Sequence, residues 1–303
     1  MGTDNLTTPS KRLNPLNDYL FLKVMGEKGD EAQLLGFLNT VLECSGNDRF
    51  RSVEIIENKS LTAEYIGDKT SILDVRAQLG NKDKINIEVQ LYSQAYFDRR
   101  LLFSWSRVYT EGMKAGQSYR DLPNVIAINI MDFDFPPNES YYACYHLRDG
   151  VNPLRILSRA LEIHCIDMTK WRKLATIDIK NNSLHRWLAW FDHNSPPELI
   201  EEVITMDDAI QAANERQAHV CLDEEARALY WRRQMGIMDQ IELAREHEDY
   251  ENGLREALKE GLEKGRETTM LNIARNALAK GLSNEVIHEI TGLDMETMEK
   301  LGK

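Results

Sequence analysis

Residues 72–90 read ILDVRAQLGNKDKINIEVQ, two unbroken runs of strand alternation around a short polar turn. No other stretch limits the fold so tightly. Alternate side chains of a strand share a face. Leu73, Val75, Ala77 and Leu79 line one face of the first run, and Ile85, Ile87, Val89 and Leu91 are their counterparts in the second. Asp74, Arg76 and Gln78 fall on the other face, with Asn86, Glu88 and Gln90. A one-residue slip would turn one apolar set outward. A loop at Gly80, Asn81 and Lys82 keeps both sets together, and it places Asp74 opposite Glu88 and Arg76 opposite Asn86. Directly opposed Cβ atoms lie roughly 5 Å apart, where like charges destabilise. Two readings follow: a solvated polar face on which two acids meet, with Arg76 neutralising both, or a pair of carboxylates that grips a divalent cation.

The flanking sequence supplies layers for such a hairpin. Asn14 to Leu42 holds two helical stretches around a break at Gly26 to Asp30, with Asn17 or Asp18 as the first cap. Leu34, Leu35, Leu38, Val41 and Leu42 form the buried face of the second. Strand signals cover Val53 to Glu57, Ser71 to Leu79, Lys84 to Leu91 and Val125 to Met131. Between the last two, Tyr96 to Gln117 is a long amphipathic helix with Leu101, Leu102, Trp105, Val108 and Tyr109 on its apolar side. Trp105 and Tyr109 read as core rather than as base-stacking platforms. Tyr141 to His146 and Leu161 to Ile166 add edge strands, and Leu184 to Phe191 is a buried helix. The order predicts an α/β (α+β) fold, a mixed sheet flanked by helices.

From about Pro197 the strand signals cease and the chain becomes charged and helical, giving an all-helical C-terminal region. Gly253, Ala257, Gly261 and Gly265 recur every four residues on one helical ridge. Each glycine costs roughly 1 kcal/mol of helix propensity. The ridge marks either close helix packing, between two chains, or a flexible linker. Gly281, Ser283 and Thr291-Gly292 punctuate three further helices in the order of a helix-turn-helix. Its would-be reading helix, LDMETMEKL, is acidic, which favours an assembly module over DNA readout.

Composition narrows the function. Among 303 residues, acids outnumber bases to give a net charge of −12, which counts against a nucleic-acid coating protein. An enzyme that visits a phosphate backbone needs only local positive charge, and Arg99, Arg100, Arg107, Lys114 and Arg120 cluster in and beyond the long helix. Arg100 and Arg107, two turns apart, are candidate phosphate clamps; a salt bridge from Arg100 to the helical tail is the alternative. The four cysteines are far apart, and the seven histidines lack HxH or HExxH spacing. Both predict reduced thiols and ordinary histidines, with no structural zinc. Apolar runs are too short for a membrane span and the start is polar, so a cytoplasmic protein with no signal peptide is expected.

An acid, an opposed acid, and a polar residue two positions on resemble the metal site of PD-(D/E)XK nucleases. More closely, NDYLFLK, ILDVRAQ, INIEVQLYSQ, RRLLFSWSRVYTEGMKAGQSY and VIAINIMDF, in that order, resemble the Rpn family of recombination-promoting nucleases and putative transposases. The resemblance covers roughly residues 14–135. It implies a restriction-endonuclease-like nuclease domain, set at 1–196, and the change of character at Pro197 then divides the rest into a helical connector, 197–250, and an assembly tail, 251–303. It also implies a Mg²⁺- or Mn²⁺-dependent DNA endonuclease linked to recombination or mobile elements. Asp74 and Glu88 match the motif's acids, and Gln90 stands where the superfamily lysine would be. Lys23 is a candidate substitute for that lysine, Asp18 a candidate third metal ligand, and Arg76 joins Arg100 and Arg107 as a candidate DNA contact. The alternative is a catalytically retired nuclease fold that acts as a scaffold; Gln90 and the acidic charge favour it. The tail predicts a homo-oligomer.

Overall fold

The computed structural model describes residues 12–43, 46–56, 74–80, 82–111, 113, 116–135 and 139–301. Cys44, Glu57, Ser71 to Leu73, Asn81 and Lys114 lie outside them. The chain divides into two compact units, 1–242 and 243–303.

Among the described residues of the first unit, α1 (Asp18–Met25) and α2 (Ala32–Val41) precede a six-stranded sheet. Asn17 caps α1, its side chain accepting from Leu20 N at 3.2 Å. The expected break follows, with Gly29 at φ +88°. The strands are β1 (Val53–Ile55), β2 (Asp74–Leu79), β3 (Lys84–Gln90), β4 (Val125–Met131), β5 (Tyr142–Arg148) and β6 (Ile156–Asp167), in the order β1-β2-β3-β4-β6-β5. β1, β2 and β3 pair antiparallel; β4 lies parallel to both β3 and β6; β5 returns antiparallel on β6. A helix, α3 (Phe97–Thr110), carries the crossover from β3 to β4. Every residue of β4 is buried, as a central parallel strand requires. The hairpin register is the one the alternation demands: Asp74 opposes Glu88, and Arg76 opposes Asn86.

Two layers cover the sheet. Val75, Ala77, Ile85, Ile87, Ile128 and Ile166 pack into the main core with α1, α2 and the Trp187, Trp190 and Phe191 rings of α5 (Ser183–Phe191), which follows the short α4 (Met168–Trp171). On the opposite face a smaller core joins Phe97 and Leu101 of α3 to Ala127, Met131, Ile163 and Cys165. Then come α6 (Pro197–Met206), α7 (Asp208–Leu222) and α8 (Glu224–Ala279). Gly36 of α2 faces Ala209 of α7 so closely that a Cβ at Gly36 would lie within 2.2 Å of the alanine methyl. Ile200, Val203, Ile210 and Ala213 belong to the main core, so most of the stretch expected to be a connector packs into the first unit.

Three further differences have physical reasons. β6 lies inside the sheet rather than at its edge, because β5 pairs beyond it. α3 ends at Thr110, seven residues before the expected Gln117. Leu102, at 51% exposure, points away from the core that Leu101 and Val108 enter. In the second unit, Gly292 at φ +69° ends α9 (Asn284–Thr291), and α10 (Met295–Leu301) follows. Ala274 and Ile287 anchor a small core there. No helix of the described residues is long and apolar enough to cross a membrane.

Candidate active site

A strand and a helix advancing at matched rates build the site. The polar face of β3 presents Asn86, Glu88 and Gln90, each step of two residues covering about 6.6 Å. α3 runs back along that face, and one helical turn advances about 5.4 Å. Polar residues of the two elements therefore meet in sequence. Arg100 Nη2 lies 3.4 Å from Gln90 Oε1. Ser104, four residues on, hydrogen-bonds Glu88. Glu111, just past the helix end, takes Arg76 Nη1 on its carboxylate, 3.1 Å from each oxygen, and Lys84 Nζ on its carbonyl at 3.2 Å.

Asp74 and Glu88 share this covered face, and each has its own compensation. Arg76 Nε donates to Asp74 Oδ2 at 2.8 Å, and Asn86 Nδ2 donates to Glu88 Oε1 at 2.9 Å. Burial pushes the Glu88 carboxyl above the usual carboxylate range, and the Asp74 charge adds to the push. Hydrogen bonds from Ser104 and Asn86 and the charge of Arg100 oppose it. Two buried atoms here have no hydrogen-bond partner among the described residues, Asn86 Oδ1 and Arg100 Nε. The first is an acceptor beside a carboxylate; the second is a donor beside Gln90. Two carboxylates and two amide oxygens make an all-oxygen donor set, which fits a hard divalent ion such as Mg²⁺ or Mn²⁺.

The other expected site residues fall elsewhere or take other partners. Asp18 and Lys23 ride on α1, which packs on the apolar face of the hairpin, opposite to Asp74 and Glu88. Asp18 is held by Arg233, with Nε 2.9 Å from Oδ1 and Nη2 2.6 Å from Oδ2. A buried carboxylate engaged this way is a structural anchor rather than a third ligand. Lys23 pairs with Glu27, one turn along its own helix, so it does not replace the missing lysine. Arg76 spans Asp74 and Glu111 instead of facing outward to DNA. Arg100 joins the site, bonded to Gln94 in the loop before α3 and near Gln90 at the end of β3. Arg107 is exposed two turns along α3.

Asn86, Ser104 and Glu111 were not among the candidates. Asn86 was visible as a member of the polar face. Ser104 and Glu111 recur with Arg100 at helical spacing, but their role emerges only once α3 is seen to run along β3.

A family model described as PD-(D/E)XK nuclease family transposase matches residues 15–247. No curated protein and no solved structure gives a significant match.

Proposed function

The chain belongs to the PD-(D/E)XK nuclease family transposases, and on that premise we propose a divalent-metal-dependent DNA endonuclease of the cytoplasm that serves recombination or mobile-element processes. The observation that carries this reading is the opposition of Asp74 and Glu88 on the face covered by α3. Asp74 and Glu88 would hold Mg²⁺ or Mn²⁺, with the amide oxygens of Gln90 and Asn86 at hand. Such an ion supplies Lewis-acid stabilisation of a phosphoryl oxygen and a more acidic water.

The protein's own groups do the rest. Gln90 replaces a cation with a neutral amide, whose N–H₂ orients a water or a phosphate oxygen. Arg100 sits beside it with a spare N–H and supplies the positive charge that the missing lysine would have given. Arg107, exposed on the same helix, is the candidate contact to the flanking backbone. Arg76 must loosen its hold on Asp74 as a cation enters, keeping Glu111 as its remaining partner.

That same Arg76–Asp74 ion pair favours a second reading, an inactive nuclease fold acting as a scaffold, because it relieves the carboxylate repulsion without any ion. Cleavage of supercoiled plasmid DNA in Mg²⁺ or Mn²⁺ separates the two. The nuclease reading expects nicked or linear product, abolished by EDTA and by Asp74→Ala. Metal-independent cleavage, or equal cleavage by the variant, defeats it, and absence of any cleavage supports the scaffold.

A further inference from the structure

On the opposite face of the sheet a second set of ionisable groups converges. Cys144 faces His164, and His146 faces Glu162, across the antiparallel β5–β6 pair. Alternation puts His164 on the same face as Ile166, within the layer that holds the main core. Cys144 Sγ lies 3.4 Å from His146 Nε2 and 3.9 Å from His164 Nε2. His164 Nε2 is 2.8 Å from Glu162 Oε1, and His146 Nδ1 is 3.8 Å from Glu162 Oε2. One ligand atom each from Cys144, Glu162 and His164 falls within 4.8 Å of the others. In a tetrahedral zinc site, with Zn–S about 2.3 Å and Zn–N or Zn–O about 2.0–2.2 Å, neighbouring ligand atoms stand roughly 3.2–3.7 Å apart. The His164–Glu162 and Cys144–His164 spacings, 2.8 and 3.9 Å, bracket that range.

The hydrogen bonds around His164 orient it for a cation. The Tyr142 hydroxyl lies 3.2 Å from the Val41 carbonyl and 2.8 Å from His164 Nδ1, and His164 Nε2 lies 2.8 Å from Glu162 Oε1. Without an ion, an Nε2–H donates to the carboxylate; when Tyr142 donates to Val41 and accepts an Nδ1–H, the Nε2 lone pair is free for a cation that Glu162 also ligates. A metal-bound histidine whose other nitrogen donates to a fixed oxygen is the usual supporting arrangement. His164 is 3% exposed whereas Cys144 reaches the surface, which opens a route from solvent.

We propose that Cys144, Glu162 and His164 bind a zinc-class divalent transition metal that pins the edge strand β5 to β6, its fourth position open to water or to one ring nitrogen of the neighbouring His146. A thiolate, an imidazole and one carboxylate select such an ion over Mg²⁺, which prefers oxygen alone. As the metal–sulfur bond forms, the Cys144 thiol proton leaves to solvent. The readings of four scattered cysteines and ordinary histidines missed this because the ligands come together only through the β5–β6 register.

Cobalt titration of the chelator-stripped full-length protein tests the site. One Co²⁺ per chain should bind with a near-ultraviolet thiolate-to-cobalt charge-transfer band and intense visible bands, both displaced by Zn²⁺. Cys144→Ser should abolish the charge-transfer band, while Cys221→Ser and Asp74→Ala leave it, the latter keeping the result separate from the hairpin site. Glu162→Gln, at a partly exposed position, should weaken Zn²⁺ binding roughly 10-fold or more against a chromophoric chelator. Absence of the band in the wild type, its survival in Cys144→Ser, or unchanged affinity in Glu162→Gln would overturn the proposal.

Discussion

Asp74 on β2 stands directly across from Glu88 on β3, and Arg76 and Asn86, themselves a facing pair, each serve one of the two carboxylates. The arrangement tolerates two acids without making them comfortable. A carboxyl whose folded-state value is raised contributes stability below its unfolded value, and that contribution is lost as pH rises through the folded value. Burial raises Glu88, so at neutral pH its ionised form destabilises the metal-free protein. Glu88→Gln should therefore raise the melting temperature in EDTA while abolishing cleavage. Mg²⁺ at 100 times its Kd should stabilise the wild type by about 2.7 kcal/mol, and the variant much less. Thermal melts with and without Mg²⁺ check both; a lower melting temperature for Glu88→Gln in EDTA would contradict the assignment.

The buried pair of Asp18 and Arg233 predicts the opposite behaviour. Removing one partner of such a pair costs about 3–5 kcal/mol, because the other charge stays buried. Asp18→Ala should lower the melting temperature by roughly 2–4 °C for each kcal/mol lost. The additional shift on adding Mg²⁺ should equal that of the wild type. A variant that melts normally but no longer responds to Mg²⁺ would return Asp18 to the metal site.

These two residues also mark how far the sequence could be read. The hairpin was legible because two alternating strands can pair in few ways that keep both apolar faces inside, and Asp74 and Glu88 follow from that register. Asp18 was not legible as an anchor, since its partner lies 215 residues away on a helix with no local sign of burial. The strand expected at an edge over Leu161 to Ile166 runs instead between β4 and β5, a placement that local pattern does not encode. Leu102 was misplaced by one position on α3, where a narrow apolar stripe leaves little margin between buried and exposed.

His185 gives a pH dependence that involves neither candidate metal site. Its Nδ1 accepts from Asp178 N at 3.0 Å, and its Nε2 lies 3.0 Å from the Tyr141 hydroxyl. Burial lowers its value, partly opposed by the Asp178 charge. A lowered histidine contributes stability above its unfolded value near 6.5, lost as pH falls through the folded value. Protonation would also turn Nδ1 from acceptor to donor against the Asp178 N–H. Melting temperatures recorded from pH 7.5 to pH 5 should fall more steeply for the wild type than for His185→Gln. Parallel curves would remove His185 as a contributor.

The second unit makes assembly testable at single positions. Leu254, Leu258 and Leu262 are 60–67% exposed on α8 at four-residue spacing. Beside them, a Cβ added at Gly253, Gly261 or Gly265 would meet none of the described residues within 4 Å. An apolar row next to a glycine row gives a second helix both something to bury and room to approach, the combination expected where two chains pack. We therefore expect light scattering to report a multiple of the chain mass, reduced to that of a monomer when residues 249–303 are deleted, a cut that spares the first compact unit. Gly261→Leu separates packing from flexibility. If the ridge is a contact, the bulky side chain holds the helices apart and the mass falls; if the glycines only loosen a linker, the substitution raises helicity by roughly 1 kcal/mol of propensity and leaves the mass unchanged. A full-length protein already monomeric at working concentration would dispose of the contact altogether.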